Sequence, residues 1–138
     1  DGLHQMAGSH RVFELHGSVH RNTCQQCGAP VSLDEMLKYK GSVPRCACGG
    51  IIKPDVVLYE EGLEQKVLQG AISAIEQADV LIVGGTSLVV YPAASLLDYF
   101  HGSRLILINK EATAYDQRAD LIFNDAIGEV LSKAMEVI

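Results

Sequence analysis

The second half of the chain carries the clearest alternation of apolar and polar positions. Leu63, Val67, Leu68, Ala71, Ile72 and Ile75 recur at three- and four-residue steps, which predicts one amphipathic helix. After Ala78-Asp79, the run Val80-Leu81-Ile82-Val83 predicts a strand buried on both faces, and Gly84-Gly85-Thr86-Ser87 a turn. Pro92 suits a helix start, with Ala93 to Phe100 continuing it. Arg104 to Ile108 and Leu121-Ile122-Phe123 predict two further buried strands, and Ile127 to Val137 a closing amphipathic helix. Helices alternating with short strands on short connections define an α/β class, part of a doubly wound, Rossmann-like parallel sheet. The first half is less periodic. Val12-Phe13-Glu14-Leu15 reads as a strand leading into His16, and residues 22–53 are too polar and glycine-rich to pack unaided.

Composition narrows the class. The chain has 138 residues, 48% of them hydrophobic and 20% charged, which suits one globular domain. Lysine and arginine number 11 against 17 acidic residues, a formal net charge of −6. General polyanion binders are basic, so direct nucleic-acid binding is not expected. The apolar runs are too short to span a bilayer, and no leader pattern is seen, so a soluble, cytoplasmic chain without a membrane partner is expected. The opening Asp1-Gly2-Leu3-His4 lacks a methionine and reads as if cut from something longer.

All four cysteines fall close together as Cys24-x2-Cys27, then 18 residues, then Cys46-x-Cys48, beside Gly28, Gly49 and Gly50. Two tight turns whose thiolates converge make a tetrahedral zinc site of the ribbon kind. The second pair has one intervening residue where two are usual, so its turn must differ. Two disulfides are the alternative, but they need an oxidising compartment, and Cys46-x-Cys48 pairing would be strained. Four thiolates leave no open position on the metal, so such a site is structural and acts as a clip for residues 22–53.

Two loops at strand ends suggest a ligand, because ligands of parallel α/β sheets bind where the strands' carboxyl ends meet helix starts. Gly84-Gly85-Thr86-Ser87 offers backbone N–H groups and hydroxyls, and Asn109-Lys110-Glu111 an amide and a carboxylate fit to read a ribose. No G-x-G-x-x-G is present, and Gly-Gly after a strand is commonly just a turn. Among the five histidines only His16, between the apolar run and Gly17-Ser18, has a setting that suits an open cleft and titration near neutrality. His4, His10, His20 and His101 carry no such signal.

In order, these pieces resemble the sirtuins, NAD-dependent protein lysine deacylases. The matching stretches are D-G-L-H-Q-M-A-G (1–8), E-L-H-G-S-V (14–19), the four cysteines, K-P-D-V-V-L-Y-E-E (53–61), G-G-T-S-L-V-V-Y-P (84–92), I-N-K-E (108–111) and A-D-L-I…E-V-L (119–131). The resemblance implies that His16 is the general base that activates a ribose hydroxyl of NAD once the acyl-lysine oxygen has displaced nicotinamide. It implies that Gly85, Thr86 and Ser87 contact the phosphate-ribose part of NAD. Asn109 and Glu111 match the adenosine-ribose segment, and Asp125 and Ala126 lie near the adenine. Asp1 matches the acidic end of the family's Q-N-I-D motif. Val56, Val57, Leu58 and Tyr59 match the strand that pairs with the acylated peptide. The implied organisation is a catalytic-histidine segment at 1–21, a zinc module at 22–53 and a Rossmann-like NAD and substrate portion at 54–138.

Two further departures stand out. Glu60 replaces the family's glycine after the aromatic residue, which should favour lysine- or arginine-rich peptides. The family's first strand and G-A-G-x-S loop are not in the sequence. The expectation is therefore a chain with little activity alone, completed by a partner chain or segment. Protein mono-ADP-ribosyl transfer is a variant of the same chemistry. A zinc-ribbon interaction module on an inert α/β layer is the alternative of another class.

Overall fold

The structure is a computed structural model and describes residues 2–136. Asp1, and Val137 at the expected end of the last helix, lie outside the described residues. The chain divides into two compact units, one up to Leu68 and one from Gln69 on.

The first unit is built on an antiparallel sheet. After a short helix α1 (Leu3–Met6) come β1 (Gly17–Cys24), β2 (Pro30–Ser32), α2 (Leu33–Leu37) and β3 (Ile52–Val56), with strand order β2-β1-β3. Ser32 caps α2 by accepting from the Glu35 N–H at 3.2 Å, and Asp34 and Glu35 fill its first turn, as the helix dipole favours. Ser18, Asn22, Cys24 and Ile52 are the buried side chains of the ladder. Between the pairs Ser18↔Asp55 and Asn22↔Pro54 the register shifts, so residues 19–21 bulge out of β1. The Asn22 amide braces that bulge, donating to the Val19 and Val31 carbonyls at 3.3 and 3.2 Å.

Two expectations change here. Val12–Leu15 forms no strand, because the chain turns, with the Gly17 N–H bonded to the Glu14 carbonyl at 2.9 Å, before the ladder begins. Boundaries at 21/22 and 53/54 would cut through β1 and β3, which are paired along both, so the histidine segment and the cysteine module share one sheet.

The second unit is an α/β layer of Rossmann-like type. Helix α3 (Gln65–Glu76), on which the division falls, leads to β4 (Val80–Gly84), β5 (Arg104–Ile108), β6 (Leu121–Phe123) and α4 (Ile127–Met135). The strands are parallel in the order β4-β5-β6. Leu88, Leu97, Leu105 and Leu107 form the core, with Leu81, Val83, Phe100, Tyr115 and Ala119 packed against them. Only β5 is well buried. In a three-stranded sheet β4 and β6 are edges, and Val80 and Ile82 are 49% and 52% exposed. The expected helix after Pro92 is a 3₁₀ helix, Ala93–Tyr99, that buries Ala94, Leu96 and Leu97. Gly84 leaves room for α4: a Cβ there would run into the Ile127 side chain.

Candidate functional site

The four cysteines converge on one point. Cys24 ends β1, and its turn closes through the Gly28 N–H to the Cys24 carbonyl at 2.9 Å. The second turn closes through the Gly49 N–H to the Cys46 carbonyl at 2.8 Å, with Gly49 at φ 88° supplying the left-handed residue. This accommodates the single spacer of Cys46-x-Cys48. All four Sγ atoms lie within 4.8 Å of one another, with Cys24–Cys48 at 3.6 Å and Cys27–Cys46 at 3.8 Å. A tetrahedron of thiolates about 2.3 Å from a zinc ion has edges of roughly 3.8 Å, so the set fits zinc without rearrangement. No disulfide joins any two of the four. The backbone N–H groups of Cys27 and Gln26 hold the Cys24 thiol down to about 6. At Cys48 the Gly50 N–H acts downward, but the Cys27 and Cys24 sulfurs outweigh it and push the thiol up to about 12.

His16 stands exposed just before β1. Gly17, with φ 74°, lies so close to β3 that a Cβ would run into the Asp55 carbonyl oxygen. His16 is therefore carried on a backbone position only glycine can follow. Its carbonyl accepts from the Val57 N–H at 3.0 Å, tying the histidine to the segment after β3. Of the four residues expected in a peptide-pairing strand, only Val56 is in β3. Val57, Leu58 and Tyr59 have left the ladder, which ends where β1 begins at the Gly17↔Val56 pair. Leu58 is 55% and Tyr59 fully exposed. Glu60 adopts φ 70°, the left-handed conformation for which glycine is suited.

In the second unit a cavity of about 460 Å³ opens at the carboxyl ends of the parallel strands. Gly85 and Ser87 after β4, Asn109 and Glu111 after β5, and Asp125 and Ala126 after β6 all line it. Backbone bonds fix this rim: the Gly85 N–H donates to the Ile108 carbonyl, and the Asn109 N–H to the Phe123 carbonyl, each at 3.0 Å. The Asn109 amide donates to the Glu111 carbonyl at 2.9 Å, and an Asp125 carboxylate oxygen accepts from the Ala126 N–H at 2.7 Å. Thr86 lies in the same loop but does not line the cavity; its hydroxyl oxygen accepts from the Leu88 N–H at 3.2 Å. Sequence reasoning missed Ile108, Lys110, Ile127 and Gly128, which complete the lining. Ile108 and Lys110 belong to the I-N-K-E run and Ile127 and Gly128 follow Asp125-Ala126, which was the available signal.

A parallel α/β layer with a cavity at its strand ends, in one chain with four cysteines placed to hold a metal ion, defines the class as an α/β protein of Rossmann-like type with a cysteine module. The particular family follows from comparison with known proteins. A sequence profile of the Sir2 family matches residues 1–92. The chain belongs to the Sir2 family. It is 61% identical over 132 residues to an NAD-dependent protein deacetylase of Clostridium acetobutylicum, covering 95% of this chain and 54% of that protein. A protein of the same description from Clostridium perfringens is 60% identical, covering 99% of this chain and 56% of that protein. The chain spans about half the length of these relatives. Among solved structures, one of Sir2 with a p53 peptide and NAD⁺ superposes with a TM-score of 0.90 at 38% identity, covering 98% of this chain and 58% of that one. One of Sir2 bound to acetylated peptide gives 0.92 at 37% identity, covering 98% and 59%.

Proposed function

We propose that this chain is the part of an NAD-dependent protein lysine deacylase that carries the base, the metal clip and the adenosine side of the NAD site. The observation that carries the reading is the gathering of Gly85, Ser87, Asn109, Glu111, Asp125 and Ala126 around one cavity, a set drawn from three separate strand ends. Asn109 and Glu111 read the adenosine ribose, Asp125 and Ala126 border the adenine, and the loop of Gly85, Thr86 and Ser87 meets the phosphate-ribose part. Asp1, outside the described residues, belongs to the NAD site by its place in the motif.

His16 is the catalytic base. It takes the proton of a ribose hydroxyl after the acyl-lysine oxygen has displaced nicotinamide, and the acyl group passes to that sugar. Water then cleaves the bond from the acyl carbon to the lysine nitrogen, so that acyl-lysine, NAD and water give deacylated lysine, nicotinamide and O-acyl-ADP-ribose. A base working near neutral pH suffices for this step. Cys24, Cys27, Cys46 and Cys48 hold one structural zinc ion. Val56, Val57, Leu58 and Tyr59 receive an acylated-lysine protein or peptide, Val56 from the strand end and the others from the segment beyond it. Among the described residues no helix is long and apolar enough to cross a membrane. A metal site of four unoxidised cysteines suits the reducing cytoplasm, where we place the protein.

The test is product analysis of the full chain as encoded, given NAD and an acetyl-lysine peptide. Equal amounts of nicotinamide, deacetylated peptide and O-acetyl-ADP-ribose are expected. ADP-ribose attached to protein with the acetyl group untouched would replace this reading by mono-ADP-ribosyl transfer. Bound zinc with no NAD consumption would replace it by an interaction module.

A further inference from the structure

The segment after β3 leaves the ladder yet is tied by five hydrogen bonds. The Val57 N–H donates to the His16 carbonyl at 3.0 Å. The Lys53 ammonium donates both to the Val56 carbonyl and to the Glu61 carboxylate, each at 3.0 Å. The same Glu61 oxygen accepts from the Leu58 N–H at 2.9 Å, and the Glu61 N–H closes the turn on the Leu58 carbonyl at 3.1 Å. Inside this clasp Leu58 and Tyr59 hold their apolar side chains out to solvent, and Glu60 stays at positive φ. Two exposed apolar side chains on an untied loop would fold back onto the sheet. The ion pair itself is half-exposed, a setting in which such pairs add little to global stability. Its visible effect is local. The Leu58 N–H, and then Lys53, hold the Glu61 carboxyl below the ordinary carboxylate value.

We infer that Lys53 and Glu61 are positioning residues that hold residues 57–60 open to receive the acylated peptide, in register with His16. The inference rests on the proposed deacylase reading and adds a specific function to two residues that touch no reacting atom. Glu61 sets the Leu58 backbone and Lys53 sets the Val56 carbonyl, while the His16 carbonyl fixes the residue between them. Peptide affinity and the distance to the base are thus controlled by the same few bonds.

The experiment is steady-state kinetics on the full chain as encoded, with Glu61→Ala, Glu61→Gln, Lys53→Met and Lys53→Arg. Glu61→Ala and Lys53→Met should raise the peptide KM about five- to tenfold, the net worth of one ordinary hydrogen bond in an exposed setting. The NAD KM should stay within about twofold, and amide exchange at Leu58 should accelerate. Glu61→Gln, which keeps an acceptor for the Leu58 N–H, should fall between, and Lys53→Arg should restore a near-normal peptide KM. An unchanged peptide KM in Glu61→Ala, with an active parent, overturns the inference and leaves the deacylase reading standing. An equal rise in both KM values, or a loss of fold in all four variants, shows a merely structural role and overturns it too. A parent that removes no acetyl group in the presence of NAD overturns both.

Discussion

Gly17 and Glu60 show how single backbone positions shape the site. Gly17 combines positive φ with backbone contact to Asp55, so Gly17→Ala should destabilise the first unit by about 2 kcal/mol or more and displace His16. Thermal unfolding followed by circular dichroism measures this. Glu60 presents the opposite case, a side chain at φ 70° where the family has glycine. A left-handed non-glycine residue costs roughly 1–2 kcal/mol, partly offset by the entropy glycine loses on folding. Glu60→Gly should therefore stabilise the chain by about 0.5–1 kcal/mol while weakening any preference for peptides with lysine or arginine beside the acyl-lysine. Competition between basic and neutral acetyl-peptides reads the second effect. Glu60 was legible in the sequence as a departure from a motif, but the reason the motif carries glycine required the dihedral. His16 was legible from Leu-His-Gly. The Lys53–Glu61 clasp was not, since its bonds depend on how the chain turns after β3, and no spacing rule encodes that.

At the scale of elements, periodicity found α3, the three parallel strands and α4, because these bury a regular face. It failed where tertiary contacts decide. Val12–Leu15 has strand-like composition but no ladder partner among the described residues, and Val57–Tyr59 falls beyond the last β1 residue that could pair with it. The cysteine spacing was more informative than any propensity, since two glycine turns on paired strands leave the sulfurs little freedom. The small sheet buries few side chains, so the metal should be its main support. Chelation of zinc, or Cys24→Ser, should unfold the first unit while the parallel sheet persists, as amide exchange would resolve unit by unit. Zinc ligands must be thiolates, so zinc binding is retained at neutral pH and lost as the pH falls and protons compete for sulfur. A chromogenic chelator titrated with acid should report release in the acidic direction only.

At the scale of the whole molecule, a formal charge of −6 argues against a polyanion held by a basic surface. No retention of duplex DNA at physiological salt is expected in a gel-shift assay. Six of the expected NAD-site residues meet at one cavity because the parallel connection returns every strand's carboxyl end to the same rim. That convergence was legible from the α/β pattern. The lining by Ile108 and Ile127 was not, since buried aliphatic residues look alike in sequence whether they floor a cavity or fill a core. On the proposed function, this chain supplies the base for NAD-dependent deacylation while its thiol site only holds the fold. The most direct measurement is deacetylation by the full chain as encoded with His16→Ala, alongside its zinc content. Turnover should fall by about 10²- to 10⁴-fold with one zinc per chain retained. Undiminished turnover in that variant would contradict it.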